Sequence, residues 1–174
     1  IQRFVTLDVR AEGRAGNVAR NNDATGDATG GNARLAVDNG ANIFVEGDLI
    51  VASDAEADSV SLGRIGAMTG GQSTVDVTNL GQLFAEQLIG RARAAAPAPA
   101  FVPVAGSART IGGTLALNAA TGGLLTANTV QLDAHAATQT ATGAAGAATG
   151  GRVRLSAISN GNIAFTADRA FDAS

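Results

Sequence analysis

His135 is the only histidine in the chain, and no cysteine, lysine or tyrosine joins it. A general base, or a partner for a serine nucleophile, would have to come from this one imidazole or from a carboxylate. His135 lies between Ala134 and Ala136 at the end of an apolar-alternating run, where alternation turns it outward, and no local motif hands it a serine. It reads as a solvent-facing residue. Oxygen ligands for a hard cation are the next candidates. Asn21, Asn22, Asp23 and Asp27 crowd one loop, but the Gly-Gly-x-Gly-x-Asp spacing of calcium-binding β-rolls is missing, so this loop reads as solvated. Asp54, Glu56 and Asp58 read as an acidic loop mouth. Thr138, Thr140 and Thr142 alternate as on an ice-binding surface, which needs such threonines on consecutive coils; here they occur once. The sequence therefore assigns no catalytic, cofactor-binding or metal-ligating residue, and no cofactor.

What the chain does carry is a repeat. Residues 30–53 contain three short runs with a period of two, Leu35/Val37, Ile43/Val45 and Leu49/Val51, divided by Asn39-Gly40 and by Glu46-Gly47-Asp48. A period of two marks a strand with one buried face. Leu35, Val75, Leu115 and Leu155 follow at steps of 40 residues, as do Val37, Val77, Leu117 and Ala157. Gly-Gly pairs precede them at Gly30-Gly31, Gly70-Gly71, Gly112-Gly113 and Gly150-Gly151. The second run recurs at Leu83/Ala85, Leu125/Ala127 and Ile163/Phe165, and the third at Leu88/Gly90, Val130/Leu132 and Phe171. Val5 to Val9 match Val130 to Ala134, which has the chain enter in a third run.

A fixed period of this length means a solenoid, propeller or array. Three runs per unit, rich in Val, Leu and Ile, predict an all-β fold: a parallel, right-handed β-helix of about four coils of roughly 40 residues. Each coil should hold three short strands, one on each of three faces, with a long loop on one edge. One solenoid segment then fills 1–174, with coils at 1–29 (partial), 30–69, 70–111, 112–149 and 150–174. The loops take up most of the length variation, from the Gly-rich 12–29 to the Pro-rich 94–104 and the Ala/Thr/Gly stretch 137–149. Asn39, Asn79 and Asn160 fall in matching turns. They serve either as an internal amide ladder between coils or as residues that tolerate a left-handed turn.

Composition agrees with a thin rod. Hydrophobic residues make up 45%, much of it alanine, while aromatics are 3%, so a wide core is excluded. A net charge of −3 gives no electrostatic case for nucleic acid or an anionic membrane, and no apolar run is long enough for membrane insertion. All basic residues are arginine.

The pattern Gly40-x-x-Ile43-x-x-x-x-x-Leu49-x-Val51-Ala52 recurs from Gly81 to Leu88 and from Gly161 to Phe171, with Thr-Gly-Gly linkers beginning at Thr29, Thr69 and Thr149. It resembles the repeats of filamentous haemagglutinin-like exoproteins, long surface proteins of Gram-negative bacteria exported by two-partner secretion. The resemblance implies a secreted, extracellular rod at the bacterial cell surface: an adhesin or biofilm-matrix protein, with a glycan or protein receptor and no enzyme activity. Coils that begin and stop in mid-pattern, without polar caps, lead to the same expectation and to self-association, end to end or laterally. Two alternatives remain: a carbohydrate-active β-helix such as a polysaccharide lyase or depolymerase, and a passive spacer stalk. The carbohydrate-active reading lacks a lysine or tyrosine base, and its phenylalanines are sparse.

Overall fold

A computed structural model describes residues 1–15, 27–57, 66–96, 109–138 and 147–174. Among these there is no helix; the chain is a stack of parallel strands. It forms a β-solenoid of three complete coils flanked by partial ones. The first run of each coil builds one sheet from Asn32–Val37, Gln72–Val77, Thr114–Ala120 and Arg152–Ile158. The second and third runs share a second sheet, built on Asn42–Ala52, Gln82–Arg91 and Leu124–Asp133. In the outer coils the same stretch is split, into Gln2–Phe4 and Leu7–Arg10 at one end and Asn162–Phe165 and Arg169–Asp172 at the other.

The expected tight turn between the second and third runs is instead a corner within one strand. Leu83, Ala85, Leu88 and Gly90 all face inward, so a step of three interrupts the alternation at Glu86-Gln87. Asn128-Thr129 marks the same corner one coil on, and there the Asn128 side-chain amide donates to the Glu86 carboxylate at 2.7 Å. In the first coil, residues Glu46 and Gly47 occupy the space of one residue, a bulge that shifts the register between Ala85 and Gln87.

Three further corrections follow, two of register and one of burial. Leu35 pairs with Val75, Val75 pairs with Leu117, not Leu115, and Leu117 pairs with Leu155. Leu115 lies on the row of Ala33, Ser73 and Val153, and Val37 and Val77 lie level with Ala119. The coils are therefore unequal, at steps of 40, 42 and 38 residues, and these are the steps of the Gly-Gly pairs. Near the start of the chain, Leu7 stands against Leu49, and Gln2–Phe4 pairs as a second run, so the chain enters one run earlier than its apolar pattern indicates. Finally, the inward side chains at the two ends of the stack lack a covering coil. Leu35 is half-buried and Leu155 is 43% exposed, whereas Val75, Leu115 and Leu117 are each 1% exposed. Each buried Val or Leu contributes about 1.5–3 kcal/mol, so the middle coils carry the stability.

The turns after the first run are stacked four-residue turns closed by hydrogen bonds from Ala41 to Asp38, Gly81 to Thr78, Gly123 to Ala120 and Gly161 to Ile158. Their central residues have positive φ: Asn39 and Gly40, Asn79 and Leu80, Thr121 and Gly122, Ser159 and Asn160. That is a type I′ turn. The left-handed account of the asparagines is therefore the one that holds. Their side chains are exposed, Asn160 sits one place beyond Asn39 and Asn79, and the turns are tied by backbone bonds such as Gly40 N–H to Asn79 O, 2.9 Å. Leu80 is a strained choice, at φ 62° and 68% exposed. A leucine in this region costs about 1 kcal/mol that glycine does not. Leu80→Gly is expected to stabilise the chain by about that amount in urea denaturation.

Beyond the third run the solenoid differs most from expectation. The loops do not begin at once; their bases form two more parallel sheets. One comprises Gly13–Ala15, Ala55–Ala57, Ala94–Ala96 and Ala136–Thr138, the other Ala28–Thr29, Met68–Thr69, Arg109–Ile111 and Ala147–Thr149. Among the described residues four sheets thus replace the expected three. The two short sheets enclose a thin second core of Ala15, Ala28, Ala55, Met68 and Ala94. The Gly-Gly pairs form the waist between this core and the main one. Gly71 N–H donates to Ser53 O at 2.7 Å, Gly113 N–H to Ala92 O at 2.7 Å and Gly151 N–H to Ala134 O at 2.9 Å, across the coil. Main chain meets main chain there, and no side chain fits.

Candidate functional site

The residues with chemical potential gather just before the waist, where the long strands end. Side chains at every second position face outward there, and parallel register stacks them in two rows. One row is Arg10, Ala52, Arg91, Asp133 and Asp172. The other, two residues on, runs through Glu12, Asp54, Arg93, His135 and Ser174. Its backbone is fixed by Gly13 N–H to Asp54 O, Ala55 N–H to Arg93 O, Ala94 N–H to His135 O and Ala136 N–H to Ser174 O. The result is a ribbon of mixed charge along one corner of the rod.

At one end, Arg10 donates to Asp8 at 2.7 and 2.9 Å and to Glu12 at 2.9 Å. In the middle, Arg93 reaches Asp54 through Nη2 at 2.8 Å and Nε at 3.3 Å, and its backbone N–H donates to the same carboxylate at 2.8 Å. Asp54 is 2% exposed and lies beneath Arg93, whose side chain is 28% exposed, so the carboxylate is the buried member of the pair. Burial works against the charge on Arg93, yet the Asp54 hydrogen bond and the nearby Asp133 and Glu56 outweigh it and raise the guanidinium pKa. Removing one partner of a buried pair leaves an uncompensated charge. Arg93→Ala should therefore cost about 2 kcal/mol, the scale of a hydrogen bond to a charged group; guanidinium denaturation measures it.

At the far end stand Asp133, His135 and Asp172. His135 faces outward, as its alternation indicates, but it is partly covered and engaged. Its side chain is 28% exposed, its Nδ1 contacts Asp133 Oδ1, and its backbone N–H donates to the same oxygen at 3.2 Å. Asp172 Oδ1 accepts from the Ser174 N–H at 3.0 Å and from the Ser174 hydroxyl at 2.8 Å. These two donors hold the Asp172 carboxyl below its ordinary pKa, with His135 adding to the effect. The Ser174 hydroxyl is committed to Asp172, so the serine, histidine and aspartate here are not wired as a nucleophile and its base.

Other sequence candidates lie elsewhere. Asn21, Asn22, Asp23, Asp58, Thr140 and Thr142 fall outside the described residues. Asp27 accepts the Ala67 N–H at 2.7 Å, a structural bond between neighbouring coils. Glu56 stands 3.8 Å from Arg14 and 3.9 Å from Arg93. Phe44 and Phe84 stack with ring centroids 4.5 Å apart and Arg3 lies 5.6 Å from the Phe44 centroid. Their faces are turned along the stack towards one another, not outward as a sugar platform requires. Among the described residues no helix is long and apolar enough to cross a membrane.

Fold and surface together define a class: a β-solenoid repeat protein with a two-part cross-section and a charged ribbon beside its waist. No protein-family model, no curated protein and no solved structure matches the chain.

Proposed function

We propose that this chain is a structural or adhesive segment of a long, secreted bacterial surface rod of the filamentous haemagglutinin-like kind, contributing to attachment, matrix or filament formation. The observation that carries this reading is the cross-section. The same rungs repeat from coil to coil, and Leu155, Ile163, Phe165 and Phe171 line an apolar hollow. A coil of the same geometry from a second copy fits that hollow, because strand edges and an apolar face invite pairing. Within the charged ribbon Arg93 grips Asp54 of the neighbouring coil, a contact that suits a stacking device.

Electron microscopy and small-angle scattering of the 174-residue chain test the proposal. Elongated particles that lengthen with concentration are expected, with lengthening suppressed by Leu155→Glu in that hollow. Fractionation of producing bacteria should place the protein at the cell surface. A compact monomer that cleaves an acidic polysaccharide would overturn the reading in favour of a carbohydrate-active enzyme.

A further inference from the structure

Most carboxylates that meet a neighbouring coil on this rod meet a donor. Glu46 faces Arg3, Asp76 faces Arg34 and Asn118, Asp54 faces Arg93, and Glu86 faces Asn128. The rung between the third and fourth coils is different, because Asp133 pairs in register with Asp172. Two like charges directly opposite on neighbouring strands repel. Arg93 relieves them only in part: its Nε comes to 4.0 Å from Asp133, and its guanidinium is engaged more closely by Asp54 at 2.8 Å. His135 completes the group, and one ligand atom from each of the three residues lies within 4.8 Å of the others.

We propose that Asp133, His135 and Asp172 bind a first-row divalent transition metal, with Zn²⁺ the best fit, and that the ion clamps the third coil to the fourth. The ligands sit on two adjacent strands whose spacing is fixed by backbone bonds on either side of the group, Ala134 N–H to Asp172 O and Ala136 N–H to Ser174 O, both 2.8 Å. The site needs little rearrangement. Zinc bonds of about 2 Å set ligands roughly 3.5 Å apart, within reach of small side-chain rotations from this arrangement. An imidazole with two carboxylates suits zinc and its neighbours, whereas calcium and magnesium favour six or more oxygens. The supporting contacts are also in place. Ser174 holds one oxygen of Asp172 and leaves the other free, and the direct contact between His135 Nδ1 and Asp133 Oδ1 is the one the ion would replace. Three protein ligands leave a position for water, and two carboxylates with a neutral imidazole match the charge of the ion.

Because His135 is the only histidine, its ring nitrogens are a unique reporter. The experiment is an imidazole ¹⁵N NMR titration of the 174-residue chain with ZnCl₂ at neutral pH, with CaCl₂ as comparator. A saturable shift of the His135 ring nitrogens is expected, with Asp172→Asn weakening the affinity at least about tenfold, the usual effect of altering a metal's immediate surroundings. The thermal midpoint should rise with Zn²⁺ in the parent chain and stay unchanged in His135→Gln. Ring signals that do not move at about 1 mM Zn²⁺, a millimolar Kd being worth only about 4 kcal/mol, would overturn the proposal. So would a shift that Asp172→Asn leaves intact. An equal response to CaCl₂ would overturn the choice of metal. The wild-type titration needs no variant, so it stands even if a substitution disturbs the fold.

Discussion

Leu115→Asp should unfold the central coils, at a cost above about 4 kcal/mol. Leu115 is 1% exposed, and its side chain leans across the core into the space beside Gly90, where an added Cβ would come within 2.7 Å of a Leu115 methyl. Beside it stand Ser73 and Val153 on its own row and Gly90 and Leu132 on the opposite wall. None is a cation, so an aspartate there would lose its water and gain no charged partner. The control is Arg34→Ala on the outer face of the same sheet. Arg34 is exposed and donates to Asp76 at 2.8 Å, and Asp76 keeps a second partner in Asn118. A surface pair of this kind is worth up to about 1 kcal/mol. Chemical denaturation of the two variants checks both numbers, and equal losses would mean that inside and outside have been exchanged.

The second large effect is steric. Gly113→Ala should cost about 3 kcal/mol or more, the upper range for overpacking. A Cβ at Gly113 would lie 2.1 Å from Gly71 O and 2.6 Å from the carbonyl carbon of Gly70, both backbone atoms of the coil below. Backbone cannot rotate aside as a side chain can, so relief requires separating two coils or breaking the Gly113 to Ala92 bond across the waist. Gly40→Ala provides the contrast. Gly40 has φ 71° but nothing within 4 Å of an added Cβ, so only the conformational penalty of about 1 kcal/mol applies. Thermal melts of the two alanine variants should differ by several degrees, with Gly113→Ala the lower.

The waist also explains which parts of the fold were legible in the sequence. The solenoid class and the three inward runs follow from apolar alternation, since any residue out of phase would face water. Register is harder to see, because Leu115 and Leu117 both face inward and a slip of two residues keeps every side chain on its proper side. Equal apolar spacing chose Leu115 for the row of Val75; the Gly-Gly pairs, whose positions are dictated by contact between backbones, mark the true 42-residue step. The short outer sheets were hidden for a different reason. Their strands are two or three residues long and built largely of alanine and threonine, so neither period nor hydrophobicity stands out. The charged cluster is not visible locally, because the immediate neighbours of His135 are alanines. Asp172 lies 37 residues further along, and only a search at the coil period brings it alongside.

The hydrogen bonds that join one coil to the next point along the rod, which sets how it answers a pulling force. A load on the two ends opens these bonds in tension, row by row from a terminal coil, instead of shearing a whole sheet at once. A freed coil of 40 residues extends to about 140 Å, against the roughly 4.8 Å it occupies in the stack. The rod therefore yields like a spool, each turn paying out many times its own thickness before the next is engaged. The steps are unequal, since the coils run to 40, 42 and 38 residues. Under tension the chain is an extensible tether whose length is released in measured instalments.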